Sequence, residues 1–200
     1  AGLAAKYGAA ELLRIMDAVL DYSEAMMRGA LRGLPDGDAV FEDIFDGDGI
    51  IEDGDTADRT FRVRIALSKR GDSITADFAG SDPAVAGPMN APLSVTASGV
   101  YCALKMVVDP RSHIPPNSGC WRAVRVTAPP GCVANAQEPS PVVYANHEMS
   151  HRIADMTFAA MAQLAPDRVM CGSQGTSAVT TFGGVDYRTG ERFVSYESTK

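Results

Sequence analysis

The chain has 200 residues, of which 46% are hydrophobic and 22% charged, with 18 basic against 25 acidic side chains and a formal net charge of −7. That length and mixture make one globular domain the simplest reading, able to bury a core without staples. They exclude a disordered, collagen-like or coiled-coil chain, and the acidic balance argues against a nucleic-acid surface or docking on anionic lipid.

Leu3, Tyr7, Ala10, Leu13, Met16, Leu20, Met27 and Leu31 recur mostly at three- and four-residue steps, predicting a long first helix. Gly29 and Gly33 stand where it would fray and stop, and its methionines Met16, Met26 and Met27 suit core or subunit packing. An acidic, turn-rich stretch over 36–58 follows, with a strand expected over 39–45 and an aspartate-glycine turn from Asp46 to Gly49. A calcium loop begun at Asp46 would need glycine and glutamate where Ile51 and Ala57 stand, which argues against one. Alternation in Arg62–Ser68 and Ser73–Phe78 predicts a hairpin around residues 69–72. A loop over 80–92 holds Asn90 between Pro88 and Pro92, and a helix over Ser94–Val108 ends at Asp109-Pro110.

The second half reads the same way. The rigid loop Ile114–Gly119 leads to a strand over Ala123–Thr127. A helix is expected from Asn146, as its N-cap, to Leu164, stopped by Pro166. The tail predicts a strand over Val179–Gly184 and a hairpin-like segment over Val185–Glu197. The sum is an α+β fold in which antiparallel hairpins pack with two or three long helices. The alternation just before the last residue suggests a piece of a longer polypeptide. No apolar run approaches the ~18 residues that span a membrane. Cys102, Cys120, Cys132 and Cys171 show no CxxC spacing, so they read as reduced, mostly buried thiols of a cytoplasmic protein.

Three polar stretches carry candidate chemistry. His147-Glu148-Met149-Ser150-His151 is a literal HExxH, which on a helix could face two imidazoles to zinc while the glutamate activates water. Its place at a helix start and the lack of a marked third ligand argue against a zinc hydrolase, and no metal ligands are assigned. Free N–H groups at such a start can also receive anions or carbonyl oxygens. The small-residue loop Gly172–Ser177 could cradle an anion, but it is neither a nucleophile elbow nor a Walker A loop. Asn90 could orient a substrate carbonyl, or simply hold a rigid turn. Asn90, the start of the 146–164 helix and the Ser173–Thr176 loop are expected to converge on one cleft.

Taken in order, the motifs resemble one family. Asp77-Phe78-Ala79-Gly80-Ser81, Gly87–Pro92, Ile114–Cys120, Asn146–Asp155, Pro166-Asp167-Arg168 and Ser173–Thr176 together look like the central part of hydantoinase B and its relatives. Those relatives include 5-oxoprolinase and the large subunit of acetone carboxylase. The family's pattern Asn-x-Glu-x-Ser-x-Arg falls on Asn146, Glu148, Ser150 and Arg152, leaving His147 and His151 on its free positions. The resemblance implies residues 1–200 are the central segment of a B-type domain whose N- and C-terminal parts lie elsewhere.

It further implies ATP-dependent opening of a cyclic amide. A partner hydantoinase A-type subunit would phosphorylate the substrate carbonyl, and the B-type part would complete the hydrolysis. ATP and a divalent metal ion are implied for the full enzyme, with metal ligands outside this segment. Glu148, Asn90 and Arg152 are then the candidate catalytic residues; Asn146, Ser150, Gln174 and Thr176 are candidate substrate-binding residues. Glu148 would act as acid or base, Arg152 would bind phosphate or carboxylate, and the amides and hydroxyls would orient carbonyls. Two rival readings are ATP-dependent ketone carboxylation and a non-catalytic subunit-interface segment.

Overall fold

A break at Gly8, where φ is 80°, divides the first helix that the apolar spacing predicts as one. The computed structural model, which describes residues 2–50, 60–177 and 179–198, begins with α1 (Gly2–Tyr7) and α2 (Ala9–Arg32). Gly29 lies inside α2 rather than fraying it, and the helix closes at Gly33, whose N–H donates to the Ala30 carbonyl while Leu34 N–H donates to that of Leu31. Only Ser23, Met27 and Leu31 of α2 are buried, while Leu13, Met16, Val19 and Tyr22 remain exposed. The helical period thus marks an apolar face but not its cover.

β1 (Gly37–Phe45), β2 (Phe61–Arg70) and β3 (Ser73–Asp77) form an antiparallel meander, and the β2–β3 turn is Gly71-Asp72 as predicted. β2 buries Phe61, Val63, Ile65 and Leu67 at every second position, and each such side chain contributes roughly 1.5–3 kcal/mol. Lys69 continues the same inward face. Its buried ammonium donates to the Leu34 carbonyl and to Asp36 Oδ1, both at 2.7 Å, fixing the joint between α2 and β1.

α3 (Leu93–Val108) then crosses over so that β4 (Val124–Thr127) pairs with β3 in parallel, giving the order β1-β2-β3-β4. α3 buries Thr96, Gly99, Val100, Ala103, Leu104 and Val107, a helical stripe. α4 (Ser150–Leu164) packs against α3 and against β1 and β2. A Cβ on Gly99 would stand 2.8 Å from the Ser150 carbonyl oxygen, so this glycine lets the first turn of α4 approach closely. β5 (Val179–Val185) and β6 (Arg192–Ser198) make a separate two-stranded antiparallel sheet, so the strand expected over Val179–Gly184 is itself the first arm of the hairpin that the tail pattern put within Val185–Glu197. The α+β expectation therefore holds.

One smaller expectation changes. Cys120 and Cys132 are buried, but Cys102 and Cys171 are exposed, so only half of the free thiols are core residues. After β1 the chain turns at Asp46–Gly49, where Ile50 N–H donates to Asp48 Oδ1 at 3.0 Å. The positions that decide the calcium loop, Ile51 and Ala57, lie outside the described residues. Among the described residues no helix is long and apolar enough to cross a membrane.

The end of α3 carries an acid-sensitive joint. Asp109 accepts N–H bonds from His113 at 2.9 Å and Ile114 at 2.8 Å, and it pairs with Lys105. Burial pushes its carboxyl up, but the Lys105 ammonium and the two N–H groups outweigh that and hold it below its ordinary value. The contribution is therefore complete above the unfolded value of ~3.9 and is lost as pH falls through the lower folded value. Asp109→Asn is expected to lower stability at pH 7 and to flatten the acid side of the stability–pH curve, measured by urea unfolding at pH 7 and pH 3.

Candidate active site

Glu148 is carried on a π turn. Residues Ala145–Met149 form it, and Ser150 N–H donates to the Ala145 carbonyl five residues back before α4 continues. Turns of this kind concentrate at functional sites because they shift side chains out of the regular helical register. Asn146, expected as the N-cap, lies exposed inside this turn, and Tyr144 holds the cap position with no side-chain cap bond. The helix begins early because Tyr144 is anchored: its N–H donates to the Pro88 carbonyl at 3.1 Å, and its own carbonyl accepts from Glu148 N–H at 2.9 Å.

The loop after α4 returns to this turn. Thr176 Oγ1 donates to Glu148 Oε1 at 2.6 Å, and Ser177 N–H donates to the His147 carbonyl at 3.0 Å. Gly175 has φ 75°, and a Cβ there would stand 2.8 Å from Arg152 Cδ, so only glycine fits both the backbone and the neighbour. Arg152 places Nη2 2.5 Å from Asp43 Oδ2 and stacks its guanidinium 5.4 Å from the centre of the Phe45 ring. Its Nε is buried and has no hydrogen-bond partner among the described residues. Together Ile44, Phe45, Asp46, Glu148, Arg152, Gln174, Gly175 and Thr176 line a hollow of about 180 Å³.

Four of the seven residues singled out in the sequence therefore meet: Glu148, Arg152, Gln174 and Thr176. Asn146 and Ser150 do not line the hollow, and the Ser150 hydroxyl donates to the Asn146 carbonyl within its own helix at 2.9 Å. Asn90 does not line it either. It is fully buried; Oδ1 accepts from Val85 N–H at 2.8 Å, and Nδ2 donates to the carbonyls of Val85, Gly87 and Pro141 at 2.9–3.0 Å. Backbone groups thus occupy the amide expected to orient a carbonyl. It ties the 85–90 loop to the segment that leads into the π turn.

The charges also differ from expectation. Arg152 is already matched by a carboxylate of its own chain, Asp43, while Glu148 and Asp46 face the hollow. The Gly172–Ser177 loop is no open anion cradle, since Ser173 N–H and Oγ both donate to Asp155, each at 2.9 Å. His147 and His151 are half-buried, and among the described residues no group of three or more His, Cys, Asp or Glu side chains could hold a metal ion.

Sequence reasoning missed Asp43, Phe45 and Asp46, which it read only as the end of a strand and a turn. A signal existed. Asp43 shares the inward period of β1 with Ala39 and Phe45, and a carboxylate on a core-facing period needs a partner.

The family model described as Hydantoinase B/oxoprolinase matches residues 1–200. A relative from Pseudomonas sp. (strain NS671), named as a candidate B-type subunit of a D-/L-hydantoinase, is 31% identical over 184 residues, covering 90% of this chain and 30% of that protein. The crystal structure of ATP-dependent caprolactamase from Pseudomonas jessenii matches with a TM-score of 0.71 at 28% identity, over 96% of this chain and 32% of that one. Nucleotide-free acetone carboxylase matches with a TM-score of 0.76 at 13% identity, over 98% of this chain and 27% of that one, a likeness of fold alone. The chain spans about a third or less of the length of each.

Proposed function

From its membership of the hydantoinase B/oxoprolinase family, to which this chain belongs, we propose that it forms the central part of a B-type subunit in ATP-dependent cyclic-amide hydrolysis. The bond broken is the ring C–N bond. An A-type partner would use ATP to phosphorylate the carbonyl oxygen, making the carbon open to attack. Water then adds to that carbon, the ring nitrogen departs with a proton to leave an acyl phosphate, and a second water releases phosphate and the ring-opened carboxylate. In this reading Glu148 takes the proton of the attacking water and returns it to the nitrogen.

The observation that carries this reading is the 2.6 Å bond from Thr176 to Glu148 at the wall of the hollow. It holds one carboxylate oxygen and leaves the other for proton transfer. Gln174 brings an amide that can orient a carbonyl. Arg152, held by Asp43 and Phe45, fixes the strand end against the helix and adds fixed positive charge beside Glu148. Asn146, Ser150 and Asn90 act on the turn that carries Glu148. Among the described residues no group of three or more His, Cys, Asp or Glu side chains could hold the metal ion implied by the resemblance.

The names of the relatives favour amides. One belongs to a hydantoinase and another is an ATP-dependent caprolactamase, whereas the likeness to acetone carboxylase carries only the fold. The test uses the complete subunit with its ATP-using partner. Phosphate release that depends on a hydantoin, 5-oxoproline or a lactam, with matching ring-opened product, is the expected result. Carboxylated ketone formed from acetone and bicarbonate, with no amide turnover, would replace this reading with the carboxylase one. The 200 residues alone are expected to show no ATP-dependent ring opening in the same assay.

A further inference from the structure

We propose that Asp155 is a positioning residue for the Glu148 site: it latches the loop that presents Thr176 to Glu148. The inference rests on the reading of Glu148 as the acid–base group. Asp155 lies on α4, seven residues after Glu148. Its two carboxylate oxygens each receive a bond from one residue, Ser173. The backbone N–H donates to Oδ1 and the hydroxyl to Oδ2, both at 2.9 Å. The same hydroxyl accepts from Gly175 N–H at 3.0 Å, so the carboxylate's hold passes through Ser173 to the residue directly before Thr176. On the other side, Ser177 N–H is held by the His147 carbonyl. Thr176 is thus pinned on both flanks.

Cys171, Gly172, Ser173 and Gln174 are exposed and bring no buried apolar anchor, so polar bonds order this end of the loop: the Asp155–Ser173 pair, and Gln174 Nε2 donating to the Thr176 carbonyl at 3.0 Å. A loop released at Ser173 would leave Glu148 without its hydroxyl donor.

The test compares Asp155→Ala, Ser173→Ala, Thr176→Val and Asp155→Asn in the complete subunit with its partner. Asp155→Ala and Ser173→Ala are expected to speed hydrogen exchange of the 173–177 amides at least tenfold. Asp155→Ala and Thr176→Val should each lower kcat/KM by about 10–100-fold, with the double variant no worse than the poorer single one. Asp155→Asn, which can still accept from the Ser173 N–H, should restore activity to within a few-fold. Unchanged exchange in Asp155→Ala and Ser173→Ala overturns the latch, as do losses that multiply in the double variant. Glu148→Gln is the control for the underlying reading. Full turnover there sinks the role of Glu148, while the exchange measurement still decides whether Asp155 holds the loop.

Discussion

Glu148→Gln in the complete subunit is expected to lower ring-opening turnover by ~10²–10⁴-fold, the usual loss when a positioned acid–base group goes. The substitution keeps the shape of the side chain and an oxygen that can accept from Thr176 Oγ1, so the 2.6 Å contact and the loop behind it should survive. What disappears is the ability to take a proton and give it back. The two halves of the reaction then separate. ATP consumption at the partner depends on the carbonyl oxygen and should persist in part, whereas release of the ring nitrogen should fall. The measurement is phosphate release against ring-opened product, with assembly followed by size-exclusion chromatography. Loss of turnover with intact assembly supports chemistry at Glu148. Loss of assembly with Glu148→Gln or Arg152→Ala, or full turnover in Glu148→Gln, would favour the rival in which this segment builds an interface between subunits.

How far the sequence carried the fold depended on whether a pattern had one physical cause. The β2–β3 hairpin was legible because a strict period of two has no other use, and Gly71-Asp72 left only a tight turn. The ends of α3 and α4 were legible because Asp109-Pro110 and Pro166 exclude further helix. Gly8 was missed because the apolar spacing runs through it undisturbed. The apolar face of α2 was read as suiting core or subunit packing, because periodicity reports which side is apolar and nothing about what lies against it; Met27 is buried and Met16 is exposed.

The site divides along the same line. Glu148 and Arg152 stood on the fixed positions of a family pattern, and Gln174 and Thr176 in a glycine loop with few other uses; these four share the hollow. Asp43 and Asp46 carry no such mark, and Asp155 stood only at the end of the Asn146–Asp155 motif with no role attached. Each acts through a partner distant in sequence, and a carboxylate's partner is a property of the fold. Asp155 meets Ser173 only because the chain reverses after Pro166 and returns along α4.

Asn90 shows the limit most sharply, and its substitution is expected to strike stability rather than chemistry. A proline on either side fits an amide aimed at substrate as well as an amide aimed at backbone. The fold uses it for the backbone. Asn90→Ala would strip partners from the Val85 N–H and from the carbonyls of Val85, Gly87 and Pro141, all around a residue with no exposure. Each buried polar group left unsatisfied costs roughly 1–3 kcal/mol, so the loss should reach about 3–5 kcal/mol. For a chain of this size that is a fall in Tm of ~6–20 °C, measurable by thermal unfolding. Asn90→Asp is the sharper probe. It keeps the oxygen that receives Val85 N–H but turns the other terminus from donor to acceptor, facing three carbonyls. It should be at least as damaging at neutral pH and partly relieved in acid, where the protonated carboxyl can donate again. If Asn90→Ala kept its Tm while ring opening collapsed, the amide would have to act on the substrate after all. The turn at Ala145–Met149 would then need some other support than the bond from Asn90 to Pro141.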